Sequence, residues 1–198
     1  MKTLSFKAFK SQTLSQIESP AVQKDDVTGT FSYQEPLTHQ PKTLIIIPAY
    51  NEGKHIGAVL DAIQKICPEI PILVINDGST DNTEIITQEH NAEIICLPYN
   101  SGYGVALQTG FLYALKNKFS IVVQMDSDGQ HDPEDIKNLL EEAQKDDCDV
   151  VIGSRFLGKA TYKTSLARHA GMLLFGTIAS ILCGQKVTDP TSGFQVLK

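Results

Sequence analysis

From Thr43 onward, short apolar runs alternate with segments of helical period, and this alternation restricts the fold more than any other feature of the chain. Thr43 to Ile47 reads as a buried strand closed by Pro48. Gly57 to Ile66 follows as a helix with Val59, Leu60, Ile63 and Ile66 on one face. Further strands are expected at Ile70 to Ile75, Ala92 to Leu97, Ser120 to Met125 and Asp149 to Ile152. Between them, Asp81 caps a helix running to about His90, and Gly104 to Lys116 forms another with Leu107, Phe111 and Leu115 aligned. Pro133 to Lys145 is the last of these helices, with Asp132 as its N-cap. Strands separated by single helices imply right-handed crossovers, and therefore an α/β fold with a largely parallel sheet.

The 198 residues are enough for one domain with a substantial core. Residues 43–198 are read as that domain, and residues 1–42 as a polar, flexible extension with a short helix near Leu4 to Ile17. A net charge of -6 argues against broad binding to nucleic acid, without excluding a local site for a diphosphate. Cys67, Cys96, Cys148 and Cys183 are scattered, with no CxxC pair, which suits reduced thiols in a cytoplasmic protein. The first residues carry lysines but no continuous apolar stretch, so no secretory signal is expected. The longest apolar run, Gly171 to Cys183, is too short to span a bilayer. The segment Leu166 to Cys183 reads either as a core helix or as a face lying on a membrane.

Polar clusters sit where the expected strands end. Val122 to Pro133 reads VVQMDSDGQHDP: an apolar run stops abruptly in Asp126-Ser127-Asp128. Paired carboxylates at the carboxyl end of a strand suit Mg²⁺ or Mn²⁺, hard ions shared between protein oxygens and substrate phosphates. By itself a DxD is equally a turn. Pro48-Ala49-Tyr50-Asn51-Glu52 follows the first strand and Asn76 to Thr83, NDGSTDNT, the second. In a parallel sheet these clusters emerge on one edge and converge on one crevice. There Tyr50 can stack on a base, Asp77 can accept from base NH groups, and Glu52 can take a sugar hydroxyl. Gly102-Tyr103-Gly104 begins like a dinucleotide fingerprint, but Leu107 occupies the third glycine position and the run follows the third strand.

PAYNE at 48–52, NDGSTDNT at 76–83, DSDGQHDP at 126–133, GSRF at 153–156 and DPTSGF at 189–194 together resemble the family 2 glycosyltransferases. The resemblance is greatest to the branch of dolichyl-phosphate mannosyltransferases and polyprenyl-phosphate glycosyltransferases. It implies a GT-A fold, a Rossmann-like three-layer α/β/α arrangement with a mostly parallel central sheet. It also implies an inverting, metal-dependent transfer of a hexose from a nucleotide-diphosphate sugar, of GDP-mannose or UDP-glucose type, to a polyprenyl phosphate. Carried onto this sequence, Pro48, Tyr50, Glu52, Ile75, Asp77, Met125, Asp126 and Ser127 match donor-nucleotide positions. Asp126, Asp128 and Gln130 match the metal positions for Mg²⁺ or Mn²⁺. Asp128, Arg155 and Arg168 match catalytic positions, the arginines beside the donor diphosphate or acceptor phosphate. The branch further implies work in glycan or cell-envelope biosynthesis at the cytoplasmic face of a membrane, with room for a membrane partner subunit.

Local readings stand beside these. Glu52 fits a capping box, Asp81 a helix cap, and His131 a turn or a support behind the ligands. Asp189 is the candidate base if the acceptor were a sugar hydroxyl. Relatives in the branch usually continue beyond the SGF motif, so a nucleotide-sugar-binding protein with little turnover is an alternative function. A sugar nucleotidyltransferase fits less well, because that class opens with a glycine-rich basic loop rather than Pro-Ala-Tyr-Asn-Glu.

Overall fold

In a computed structural model, residues 3–6, 42–129, 131–145, 149–154, 176–178, 180–182, 184, 189 and 192–198 are described. The expectations placed on Gln130, Arg155, Arg168, Cys148, Cys183, residues 7–41 and most of 166–183 lie outside these residues. The strands are β1 (Thr3–Phe6), β2 (Thr43–Ala49), β3 (Ile72–Asn76), β4 (Glu93–Cys96), β5 (Ile121–Gln124), β6 (Val150–Gly153) and β7 (Gln195–Leu197). The helices are α1 (Ile56–Ile66), α2 (Thr83–Glu89), α3 (Tyr103–Lys116) and α4 (Asp135–Ala143).

These strands form one sheet in the order β1-β6-β7-β5-β2-β3-β4. Strands β2, β3, β4 and β5 pair in parallel, as the alternation predicted. Strand β7 inserts antiparallel between β5 and β6, and β1 pairs antiparallel with the outer edge of β6. The sequence reading missed both. Thr3–Phe6 is a strand, not the start of a helix, and it is aligned so that Thr3 faces Gly153 and Phe6 faces Val150. A lone strand of four residues lacks enough alternation to be read without its partner.

Every residue of β3, and every residue of β2 after Thr43, is buried, because helices cover both faces of the sheet. Ile45, Ile47, Val74 and Val123 pack with Ile56, Leu60, Ile63 of α1 and Ile136, Leu139 of α4. Leu44, Ile46, Leu73, Ile75 and Val122 pack on the other side against Ala106 and Ala114 of α3. Burying one such aliphatic side chain contributes roughly 1.5–3 kcal/mol before the cost of chain ordering. The expected face of α1 is confirmed, and that of α3 only in part: Phe111 is half-buried against the core. The inward stripe of α3 is Ala106, Gly110 and Ala114, while Leu115 is 73% exposed. The helix lies so near the sheet that a Cβ on Gly110 would stand 2.6 Å from Ile46 Cγ2. Close approach selects small residues there, which hydrophobicity alone does not single out.

Two boundaries differ from the reading in ways that affect the site. Strand β2 continues through Pro48 to Ala49, since the parallel ladder to Ile75 and Asn76 persists. Helix α4 begins at Asp135, and Asp132 closes the preceding turn by accepting from Glu134 N–H at 3.0 Å.

Candidate active site

The ends of β2, β3 and β5 open on a single cleft of about 540 Å³. From β2 and the turn after it come Pro48, Ala49, Tyr50 and Glu52; β3 brings Asp77; β5 brings Asp126, Ser127 and Asp128. The structure therefore brings together Pro48, Tyr50, Glu52, Asp77, Asp126, Ser127 and Asp128, all expected at the site. It does not bring Ile75 or Met125 to the surface. Both are 0% exposed, Ile75 packed toward α3 and Met125 in the opposite half of the core. Their side chains lie in the apolar layers on either side of the sheet, not in the cleft.

The NDGSTDNT turn is chiefly scaffolding for the first turn. Ser79 Oγ accepts from Asn51 N–H, Thr83 Oγ1 from Glu52 N–H and Asp81 Oδ2 from Gly53 N–H, at 2.9, 2.9 and 3.0 Å. Asn51 Oδ1 in turn accepts from Thr80 N–H at 2.8 Å. Burial pushes the Asp81 carboxyl up, but the bonds from Thr83 and Gly53 outweigh it and hold the group below its ordinary value. Gly78 sits at φ 69°, where a Cβ would fall 2.4 Å from the backbone of Tyr99. That contact lets the turn after β3 close on the loop that follows β4.

Asp77 completes the contact. It is 4% exposed, and its two oxygens accept from Ser101 N–H and Gly102 N–H at 2.8 Å each. A carboxylate has about four acceptor sites, so Asp77 retains capacity toward the cleft while clamping the start of α3. Glu52 is likewise engaged, with Oε2 2.9 Å from His55 Nδ1.

The clamp places Tyr103, the first residue of α3, over the DxD turn. Its hydroxyl donates to Asp126 Oδ1 at 2.8 Å, and burial together with that carboxylate holds the phenol well above its ordinary pKa. Asp126 Oδ2 lies 3.5 Å from Nε2 of His131, a buried ring packed on Phe194 at 5.1 Å. Ser127 Oγ donates to Pro48 C=O at 3.0 Å and ties the DxD turn to β2. Gly193 of the DPTSGF motif also lines the cleft, where it meets Asp126. Within that motif Asp189 is 1% exposed, does not line the cleft, and its carbonyl accepts from Ser192 N–H at 3.4 Å.

Tyr103, Asn100 and Gly193 are site residues the sequence reading missed. The signal for Tyr103 was present, since an aromatic opening a helix after a parallel strand faces the same edge as the other strand ends.

Glu52, Asp77, Asp126 and Asp128 put four carboxylates around the cleft, and no Lys or Arg lines it among the described residues. A diphosphate would be repelled there without a cation. No group of three or more His, Cys, Asp or Glu side chains among the described residues forms a metal cage. Asp126 and the exposed Asp128 fit a hard divalent ion that keeps water and takes its remaining oxygens from a substrate.

The sequence pattern of glycosyl transferase family 2 matches residues 44–198. The chain belongs to that family. Among family 2 relatives, it is 30% identical over 174 residues to the polyprenol monophosphomannose synthase of Mycolicibacterium smegmatis, covering 83% of this chain and 65% of that one. It is 32% identical over 167 residues to the undecaprenyl-phosphate mannosyltransferase of Micrococcus luteus, covering 79% and 66%. The chain thus spans about 65% of the length of these curated relatives. Its fold is that of the GT-A glycosyltransferases. Glucosyl-3-phosphoglycerate synthase from Mycobacterium tuberculosis, solved with Mn²⁺ and UDP-glucose, superimposes with a TM-score of 0.63 at 22% identity, over 80% of this chain and 56% of that one. A mannosyltransferase from Pyrobaculum calidifontis, solved with GDP-Man and Mn²⁺, gives 0.51 at 22% identity over 57% and 35%.

Proposed function

We propose that this chain is the donor-binding and catalytic domain of an inverting, metal-dependent glycosyltransferase that moves a hexose from a nucleotide-diphosphate sugar to a polyprenyl phosphate. The observation that carries the reading is the cleft, in which an aromatic, a buried aspartate and a strand-end DxD converge with no cationic side chain among the described residues. The relatives named for polyprenol and undecaprenyl phosphate transfer support the acceptor class.

Tyr50, 44% exposed at the cleft, offers its ring to the base, Asp77 an acceptor for base NH groups, and Glu52 an acceptor for a sugar hydroxyl. Asp126 and Asp128, with Gln130, would hold Mg²⁺ or Mn²⁺, which when bound neutralises charge on the departing diphosphate. The second ionisation of a phosphate monoester falls at about pH 6, so the acceptor arrives as a nucleophile and requires no general base. Its oxygen forms the new bond to the sugar carbon as the bond to the diphosphate breaks, which inverts that carbon. Asp189, the candidate base for a hydroxyl acceptor, is buried and does not line the cleft, and this favours the phosphate acceptor. Arg155 and Arg168 are assigned to the acceptor phosphate. The chain's part is to align the reacting groups. No helix among the described residues is long and apolar enough to cross a membrane. The proposed site of action is the cytoplasmic membrane face, where a polyprenyl phosphate is presented, with room for a membrane partner subunit.

The test is calorimetric titration with UDP-glucose and GDP-mannose, each with and without Mn²⁺, followed by incubation of the binder with polyprenyl phosphate. Metal-dependent binding with release of nucleoside diphosphate is expected. Binding without release would favour a nucleotide-sugar-binding protein, and metal-independent binding would remove the DxD assignment.

A further inference from the structure

A file of polar side chains runs from the sheet interior to the DxD turn. Gln195 Nε2 of β7 donates to Gln124 Oε1 of β5 at 2.8 Å. Gln124 Nε2 donates to the Tyr103 hydroxyl at 3.0 Å, and that hydroxyl donates to Asp126 Oδ1 at 2.8 Å. The sense of the file follows from its end. An ionised carboxylate only accepts, so the Tyr103 hydroxyl must donate to it and accept from behind. Gln124 must then present its NH₂ to Tyr103 and its carbonyl to Gln195, which must present NH₂ in turn. All donors thus point toward Asp126, the arrangement in which successive hydrogen bonds polarise one another.

We propose that Tyr103 is a positioning residue for Asp126, itself held by Gln124 and Gln195, so that strand β7 sets the rotation of a donor-site carboxylate. Gln124 is 2% exposed, which leaves it little freedom to choose other partners. Gln195 does not line the cleft, and its side chain reaches the site through the file. The inference rests on the function proposed above for the Asp126 cleft. It goes beyond that reading in assigning three residues outside the DxD turn to the support of Asp126.

The test has a metal-free arm and a binding arm. In ¹⁵N-labelled protein without metal, Asp126→Asn and Tyr103→Phe are each expected to shift the side-chain amide signals of Gln124 and, two links away, Gln195. If Gln195 does not respond to Asp126→Asn, the residues are not coupled and the inference is overturned. In the binding arm, Mn²⁺-dependent affinity for UDP and GDP is measured by calorimetry. Tyr103→Phe is expected to weaken it ~10-fold or more, as loss of a partner behind a metal ligand typically does. Gln195→Met, remote from the cleft, is expected to weaken it in the same direction by less. Tyr113→Phe, on the same helix but bonded to Glu93, is the unchanged control. Wild-type affinity in both Tyr103→Phe and Gln195→Met would overturn the inference. Coupled amide signals in a wild type that binds neither nucleotide with Mn²⁺ would instead overturn the proposed function, and the assignment with it.

Discussion

Gly193 and Asp126 are in backbone-to-carboxylate contact: a Cβ built on Gly193 would lie 1.9 Å from Asp126 Oδ2. Gly193 is thereby pressed against the DxD motif although 67 positions separate the two residues (193 − 126). Tyr103 holds the other oxygen, so the carboxylate is confined from both sides.

Gly193→Ala should displace Asp126, because the added carbon has no alternative space. We expect a loss of Mn²⁺-dependent nucleotide affinity of ~10-fold or more. Overpacking should also lower stability by about 1–3 kcal/mol. Calorimetry and urea denaturation measure the two effects separately. Unchanged affinity would show that the carboxylate orientation is not critical.

Asp128→Ala should behave differently. Asp128 is an exposed residue at the cleft, so stability should stay within about 0.5 kcal/mol of wild type while metal-dependent donor binding is abolished. A urea midpoint that falls together with affinity would reveal a structural role instead.

Asp77→Asn probes the clamp on the start of α3. Its amide can replace one acceptor but turns a donor toward the other backbone N–H, leaving Ser101 or Gly102 unsatisfied. We expect a cost of about 1–3 kcal/mol. Faster amide exchange at Ser101 and Gly102 is the diagnostic signal, and unchanged protection there would contradict the clamp.

Gly110→Ala and Gly104→Ala separate packing from helix propensity. Both exchange glycine for a better helix former, a gain of up to about 1 kcal/mol. At Gly110 the Cβ meets Ile46 Cγ2 at 2.6 Å, whereas at Gly104 nothing lies within 4 Å. Gly110→Ala should therefore unfold at lower urea than wild type and Gly104→Ala at higher. The same sign for both would refute the close approach of α3.

Asp81→Ala should be pH-dependent in a defined sense. Because the folded carboxyl titrates below its ordinary value, its contribution is full above the unfolded pKa of about 4 and fades as pH falls through the folded value. The gap between wild type and variant in chemical denaturation should be largest near pH 6–7 and begin to shrink as pH falls below about 4. A gap that grew on acidification would reverse the assignment.

The parallel half of the fold was legible because β2, β3 and β5 are continuous apolar runs between periodic helices. The DxD and PAYNE residues were legible because polar clusters at parallel strand ends must share one edge. Strands β1 and β7 were not, being four and three residues long and defined by their partners. The role of most of NDGSTDNT was also hidden. Its Ser79, Asp81 and Thr83 accept from the Asn51–Gly53 backbone, and Thr80 N–H donates to the Asn51 side chain.

The sequence by itself determined the order of elements from β2 to β6 and which turns carry carboxylates, since these follow from local period and residue chemistry, and its motifs carried the resemblance to the family. Tertiary structure alone decided which of those groups face the cleft and which hold it in shape. It buried Ile75 and Met125, placed Tyr103 on Asp126, and brought Gly193 from the chain end to its other side. The physical reason is distance along the chain: hydrogen bonds and steric contacts between residues 23 and 67 positions apart leave no trace in local pattern.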